Sequence, residues 1–151
     1  MKSVIIDTNV IVSSLIQKSY PYLIIFDLFL EGKIRIYVSD ELIEEYFDVL
    51  SRPKFQRFPD FAKKAELILT EITMKSVKYT PEIKLDIISD QDDNMILELA
   101  YESKADFIIT GNTNDFTISE YLHTKIVTPR EFWELTINNL SLNKGNHHFF
   151  D

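Results

Sequence analysis

Short apolar runs alternate with amphipathic stretches along this chain, and that alternation restricts the fold more than any other feature. Residues 4–6, 34–38, 107–110 and 125–127 have the length and β-branched content of buried strands. Between them, apolar residues recur at helical spacing over 10–16, 22–30, 40–50, 61–74 and 93–103. Residues 77–79 read as a short edge strand just ahead of Pro81. Strands separated by helices call for a parallel sheet covered on both faces. The expected fold is a single-domain three-layer α/β/α with a short, mainly parallel sheet.

Boundary residues support these elements. Gly32 follows the second helical stretch and is the usual helix-ending residue, and Ser39 stands as an N-cap ahead of residues 40–50. Thr128, Pro129 and Glu131 supply a capping residue, a proline at the first helical position and an acid reaching back from three residues on. With 151 residues, 45% of them hydrophobic, the chain suffices for one core and is too short for two ordinary domains. No repeat or low-complexity linker interrupts it. Residues 1–143 are read as one domain and 144–151 as a flexible C-terminal tail.

The formal net charge of −8 argues against a protein that grips nucleic acid through a broad basic surface. It does not exclude a nuclease, because enzymes that use divalent ions concentrate carboxylates at the site and the ions reverse the local sign. There is no cysteine, so neither disulfides nor thiolate metal sites are available. No apolar run reaches the length of a membrane span and no signal peptide is visible, so a cytoplasmic location without a membrane partner is the default expectation.

The position of the acids then decides. Asp7 follows directly on Val4, Ile5 and Ile6, which puts a carboxylate at the exit of a buried strand, the end of a parallel sheet where ligands bind. Burying it without a partner would be costly. Glu45 falls at the border of the face formed by Leu42, Ile43, Tyr46, Phe47, Val49 and Leu50, which suits a cleft rim and equally suits a surface glutamate. Asp93 stands in the inward phase with Leu97 and Ala100; capping accounts for Asp90 beside it but not for an acid at an inward position. Three converging carboxylates repel one another, and a divalent ion relieves the repulsion. Oxygen-only ligation suits Mg²⁺ or Mn²⁺. His123, His147 and His148 are the only histidines, and the last two read as solvated tail.

Four segments in this order, VIIDTNVIVSSL, VSDELIEEYFDVLSRPKF, ISDQDDNMILELAYESKADFIITGN and IVTPREFWE, resemble the PIN-domain family, and within it the VapC-like toxin components of toxin-antitoxin pairs. The resemblance runs from residue 3 to about 135. It implies a metal-dependent ribonuclease acting on an RNA substrate, a cognate antitoxin protein that blocks the site, and a homodimer. The family's three acids fall on Asp7, Glu45 and Asp93. Its fourth, after a Thr-Gly pair, falls on Asn112, an amide that brings no charge, so a fold-retaining binding or regulatory protein with weak or no catalysis is the alternative.

Supporting roles are expected for Asn9, beside Asp7, and for Thr110 and Asn112, which could position water or substrate; Ser13 could approach a phosphate. Each of these is also a competent capping or turn residue. Asp115 could contribute as an acid or cap the next turn. A phosphoacceptor receiver domain also gathers acids at strand ends, but the lysine it needs at the end of a later strand is lacking, since Lys125 stands at the start of its strand. Tyr20, Tyr22, Phe26, Phe29, Phe47 and Phe55 read as core packing before they read as a stacking or antitoxin surface. Arg52, Lys54, Arg57, Lys63 and Lys64 form a sparse basic cluster that either faces solvent or contacts RNA backbone.

Overall fold

The computed structural model describes the backbone of residues 1–86, 91–111 and 120–149, and the side chains of 1–86, 93–111 and 120–139. Strand β1 (Lys2–Ile6) is buried continuously from its second residue, as a strand packed on both faces must be. It pairs in parallel with β2 (Ile34–Val38) on one side and with β4 (Phe107–Ile109) on the other. Beyond β2 lies β3 (Val77–Lys78), and beyond β4 lies β6 (Thr124–Val127), both parallel to their neighbours. The described strands form one sheet in the order β3-β2-β1-β4-β6-β5. Strand β5 (Glu120–Tyr121), absent from the sequence reading, closes the edge antiparallel to β6.

Chain order moves outward from β1 through β2 to β3 and then returns to β4 on the opposite side. The crevice between the carboxyl ends of β1 and β4 is therefore the topological switch point. The opposite end of this strand pair is clamped. Asp106 Oδ2 accepts from Ser3 N at 2.9 Å and from Ser3 Oγ at 3.1 Å, and Asp106 N donates to Ser3 O at 3.1 Å.

Helix α1 (Thr8–Ile16) starts two residues before the expected onset and buries Val10, Ile11 and Leu15. A short helix α2 (Tyr20–Tyr22) runs into a π-helical segment (Leu23–Phe29) with Ile24, Ile25, Leu28 and Phe29 inside. It ends in a Schellman motif: Lys33 N donates to Leu28 O and Gly32 N to Phe29 O, with Gly32 at φ +72°. Of the six aromatics read as core, Phe29 is fully packed, whereas Tyr20 and Phe47 are exposed and the others are half-buried.

Helix α3 (Asp40–Leu50) matches the expected bounds, because Ser39 Oγ accepts from Leu42 N at 3.1 Å and fixes its start. It buries Leu42, Tyr46, Val49 and Leu50. Phe47, assigned to the same face from the sequence, is instead 46% exposed. Five residues after Leu42 it lies near 140° around the helix, off the stripe centred on Tyr46. A 3₁₀ turn (Pro53–Phe55) leads to α4 (Phe61–Lys75), which buries Phe61, Ala65, Ile68, Leu69 and Ile72 and packs on α3.

Helix α5 (Gln91–Ser103) buries Ile96, Leu97, Leu99 and Ala100. In α6 (Pro129–Phe149) the expected capping box forms: Glu131 N donates to Thr128 Oγ1 at 3.1 Å and Thr128 N to Glu131 Oε1 at 3.3 Å. The helical backbone extends past residue 143, where the sequence reading began the tail. No helix among the described residues is long and apolar enough to cross a membrane.

Candidate active site

Asp7 sits where β1 hands over to α1. Its backbone extends the β1 and β4 pairing by one step, with Asp7 N donating to Ile109 O at 3.0 Å. It occupies the N-cap of α1 with extended dihedrals, yet its side chain makes no capping bond. The carboxylate turns across the switch point instead, and Oδ2 accepts from Thr110 Oγ1 at 2.8 Å. Thr110 is fully buried and anchored in turn by its N–H donating to Val127 O at 3.0 Å. A hydroxyl donating to a carboxylate is a strong, charge-assisted bond, so two adjacent strand ends hold Asp7 in place.

Glu45 enters from α3. Its Oε2 accepts a short hydrogen bond from Thr8 Oγ1, the residue after Asp7. Next to it, the Tyr46 hydroxyl donates a short hydrogen bond to Ile6 O, the residue before Asp7. The Tyr46 ring is fully buried, and burial first, then the negative charges of Asp7 and Glu45, push its phenol well above the ordinary tyrosine range. Tyr46 therefore stays a neutral donor that rivets α3 to the end of β1.

Asp93 is buried in the first turn of α5, at 7% exposure, as its inward phase required. Helix α5 packs on α3, and a further link ties the two: Lys84 Nζ lies 3.3 Å from Glu41 Oε1 on α3 and 3.8 Å from the buried Glu98 on α5. Glu98 Oε2 also accepts from Leu85 N at 2.8 Å. Glu41 stands one turn before Glu45, and Glu98 stands five residues after Asp93.

The structure thus joins Asp7, Glu45 and Thr110 and buries Asp93 on the neighbouring helix. Asn9 is exposed in the first turn of α1 and Ser13 is half-buried further along it. Asn112 and Asp115 lie outside the described residues, as do the side chains of His147 and His148, and His123 belongs to the turn between β5 and β6. Sequence reasoning missed Thr8 and Tyr46 as site residues. Their adjacency to Asp7 and Glu45 is a signal, but nothing local says that two side chains some forty residues apart would meet.

The donor chemistry fits a hard divalent cation, since the side chains gathered here offer oxygen and no sulfur or imidazole. Among the described residues, no three acidic or histidine side chains are already gathered as an ion-binding cluster, so Asp93 on α5 would have to close on Asp7 and Glu45 to complete one. An apolar groove of about 630 Å³ between α3 and α4, lined by Phe47, Leu50, Ala65, Leu69 and Met74, opens elsewhere: Phe47 lies about 200° around α3 from Glu45.

The family described as PIN domain matches residues 3–114, which include Asp7, Thr8, Glu45, Tyr46, Asp93 and Thr110. The chain belongs to the PIN-domain family. It is also similar to an uncharacterized protein of Methanocaldococcus jannaschii, with 37% identity over 140 residues that cover 87% of this chain and 89% of the relative. PIN domains are generally nucleases that use divalent metals, which puts this PIN domain, at that level, among hydrolases acting on nucleic acid.

Proposed function

We propose that this PIN domain is an Mg²⁺- or Mn²⁺-dependent endoribonuclease, with Asp7, Glu45 and Asp93 as the residues that would hold the ion. The observation that carries the reading is the meeting of α3 with the end of the central strand around Asp7, where Glu45 is bonded by Thr8, the residue after Asp7, and Tyr46 donates to Ile6 O, the residue before it. Two carboxylates brought together by separate elements cost stability, so their retention in a fixed geometry points to a cation-dependent use. When bound, the ion would supply Lewis acidity at the phosphoryl group and a more acidic water.

The chain's own residues do the rest. Thr110 and Thr8 donate to Asp7 Oδ2 and Glu45 Oε2 and so orient both carboxylates. Tyr46 keeps its proton and fixes the spacing of α3 from β1. Asn9, exposed at the start of α1, would orient water or substrate at the rim. We further propose the cell-biological setting suggested by the VapC-like segments: the toxin of a type II pair, cytoplasmic, homodimeric, and blocked by a cognate antitoxin.

The test is cleavage of a labelled single-stranded RNA with Mg²⁺ or Mn²⁺, repeated in chelator and with Asp7→Asn and Asp93→Asn. Each substitution is expected to cost more than the roughly 10–100-fold that follows loss of an outer partner of a metal ligand. Equal cleavage by all three proteins would refute the assignment. Metal binding without cleavage by the unaltered chain would favour the binding or regulatory alternative raised by Asn112.

A further inference from the structure

We infer that the cationic segment 52–64, which follows α3, is a track for the phosphate backbone of single-stranded RNA beside the acidic cleft, an inference that rests on the ribonuclease reading. In a chain of net charge −8, this segment sets Arg52, Lys54, Arg57, Lys63 and Lys64 against a single acid, Asp60. All five cations are exposed.

Several cations elsewhere are neutralised by carboxylates, as Lys75 is by Glu71, Lys78 by Asp40 and Arg130 by Glu134. Within the segment, among the described residues, Arg52 alone meets one, Asp48 at 3.1 Å, and both partners are solvent-exposed, so the pair is weak. Lys54 and Arg57 lie over the half-buried rings of Phe55 and Phe58, at 5.1 and 4.9 Å from the ring centres. A cation over an aromatic face is held in position while keeping its full charge for an incoming phosphate.

Position connects the track to the cleft. Glu45 and Asp48 lie at i and i+3 on one edge of α3, and the ion pair of Asp48 with Arg52 carries that edge past the helix end at Leu50. Helix α3 ends at Leu50, about 7.5 Å past Glu45 along the axis, and the cationic segment begins two residues beyond it. An acidic site repels a polyanion at a distance, and cations along its rim offset that repulsion and set the direction of approach.

The test is fluorescence anisotropy of a labelled single-stranded RNA against the full chain in chelator, so that binding is read without cleavage, across a salt series. Lys54→Gln with Arg57→Gln is compared with Lys2→Gln with Lys125→Gln, a charge-matched pair at the amino ends of β1 and β6. Each phosphate contact on a single strand contributes a salt slope of about 0.7, or about fivefold in affinity at 0.1 M salt. The first double variant is expected to bind roughly 25-fold more weakly with a slope lower by about 1.4. The control is expected to track the unaltered chain.

A Lys54/Arg57 variant that binds like the control overturns the track. If metal-stimulated cleavage nonetheless persists, the nuclease reading stands and only the track falls. The expected loss of binding in a protein that never cleaves RNA separates the two in the other direction. Loss of binding to a poly-glutamate peptide, with RNA affinity unchanged, would assign the segment to an acidic protein partner and also overturn the track.

Discussion

Tyr46→Phe removes one oxygen from a fully buried place, the hydroxyl that joins α3 to the carbonyl of Ile6. Phenylalanine fills nearly the same volume, so no large cavity opens. The cost is the lost bond together with a buried carbonyl left one partner short, about 1–3 kcal/mol. In a domain of this length each kcal/mol shifts Tm by roughly 2–4 °C, so a loss of about 2 kcal/mol lowers Tm by roughly 4–8 °C. The pH dependence adds a second signature. The folded phenol titrates above its unfolded value of about 10, so this group's contribution is fully present below that pH and declines as pH rises toward the folded pKa. The unaltered chain should therefore lose about 1.4 kcal/mol per pH unit above pH 10 from Tyr46, a slope that Tyr46→Phe lacks. Urea denaturation of both proteins at pH 7, 10 and 11 measures each effect. Equal stability at pH 7, or parallel declines above pH 10, would refute the account of Tyr46 as a buried neutral rivet.

Thr110→Val preserves shape while deleting the donor to Asp7 Oδ2, and Mg²⁺ or Mn²⁺ affinity measured by titration calorimetry should fall about 10–100-fold, as for other outer partners of metal ligands. Unchanged affinity would place the ion away from Asp7. At Gly32 nothing lies within 4 Å of an added Cβ, so Gly32→Ala should cost only the left-handed backbone penalty, about 1–2 kcal/mol by denaturant titration. A null effect would mean that the helix end relaxes out of its φ of +72°.

Where a signal was local, the sequence carried it through to the structure. Ser39 and the Thr128 to Glu131 box mark helix starts because capping chemistry acts over three residues, and Gly32 marks an end because its backbone conformation excludes most side chains. The inward phase of Asp93 and the border position of Glu45 were likewise legible, since helical periodicity fixes facing. Phe47 was misread because hydrophobic character stood in for phase. The antiparallel β5 is two residues long, too short for alternation to register. Thr8 and Tyr46 were overlooked as site residues because their partners, Glu45 and Ile6, are 37 and 40 residues away, and local patterns carry no information about tertiary contacts.

The pairing of β1 with β4 also sets a timetable. Asp7 and Thr110, which meet at 2.8 Å, are separated by 103 residues of chain. At synthesis rates of about 5–20 residues per second, Asp7 waits roughly 5–20 s before its partner has even been made. The strands β1 and β2 can pair during that interval, but the cleft cannot close around Asp7 until β4 arrives. A nascent chain is thereby kept from completing this acidic centre until 110 of its 151 residues have been made.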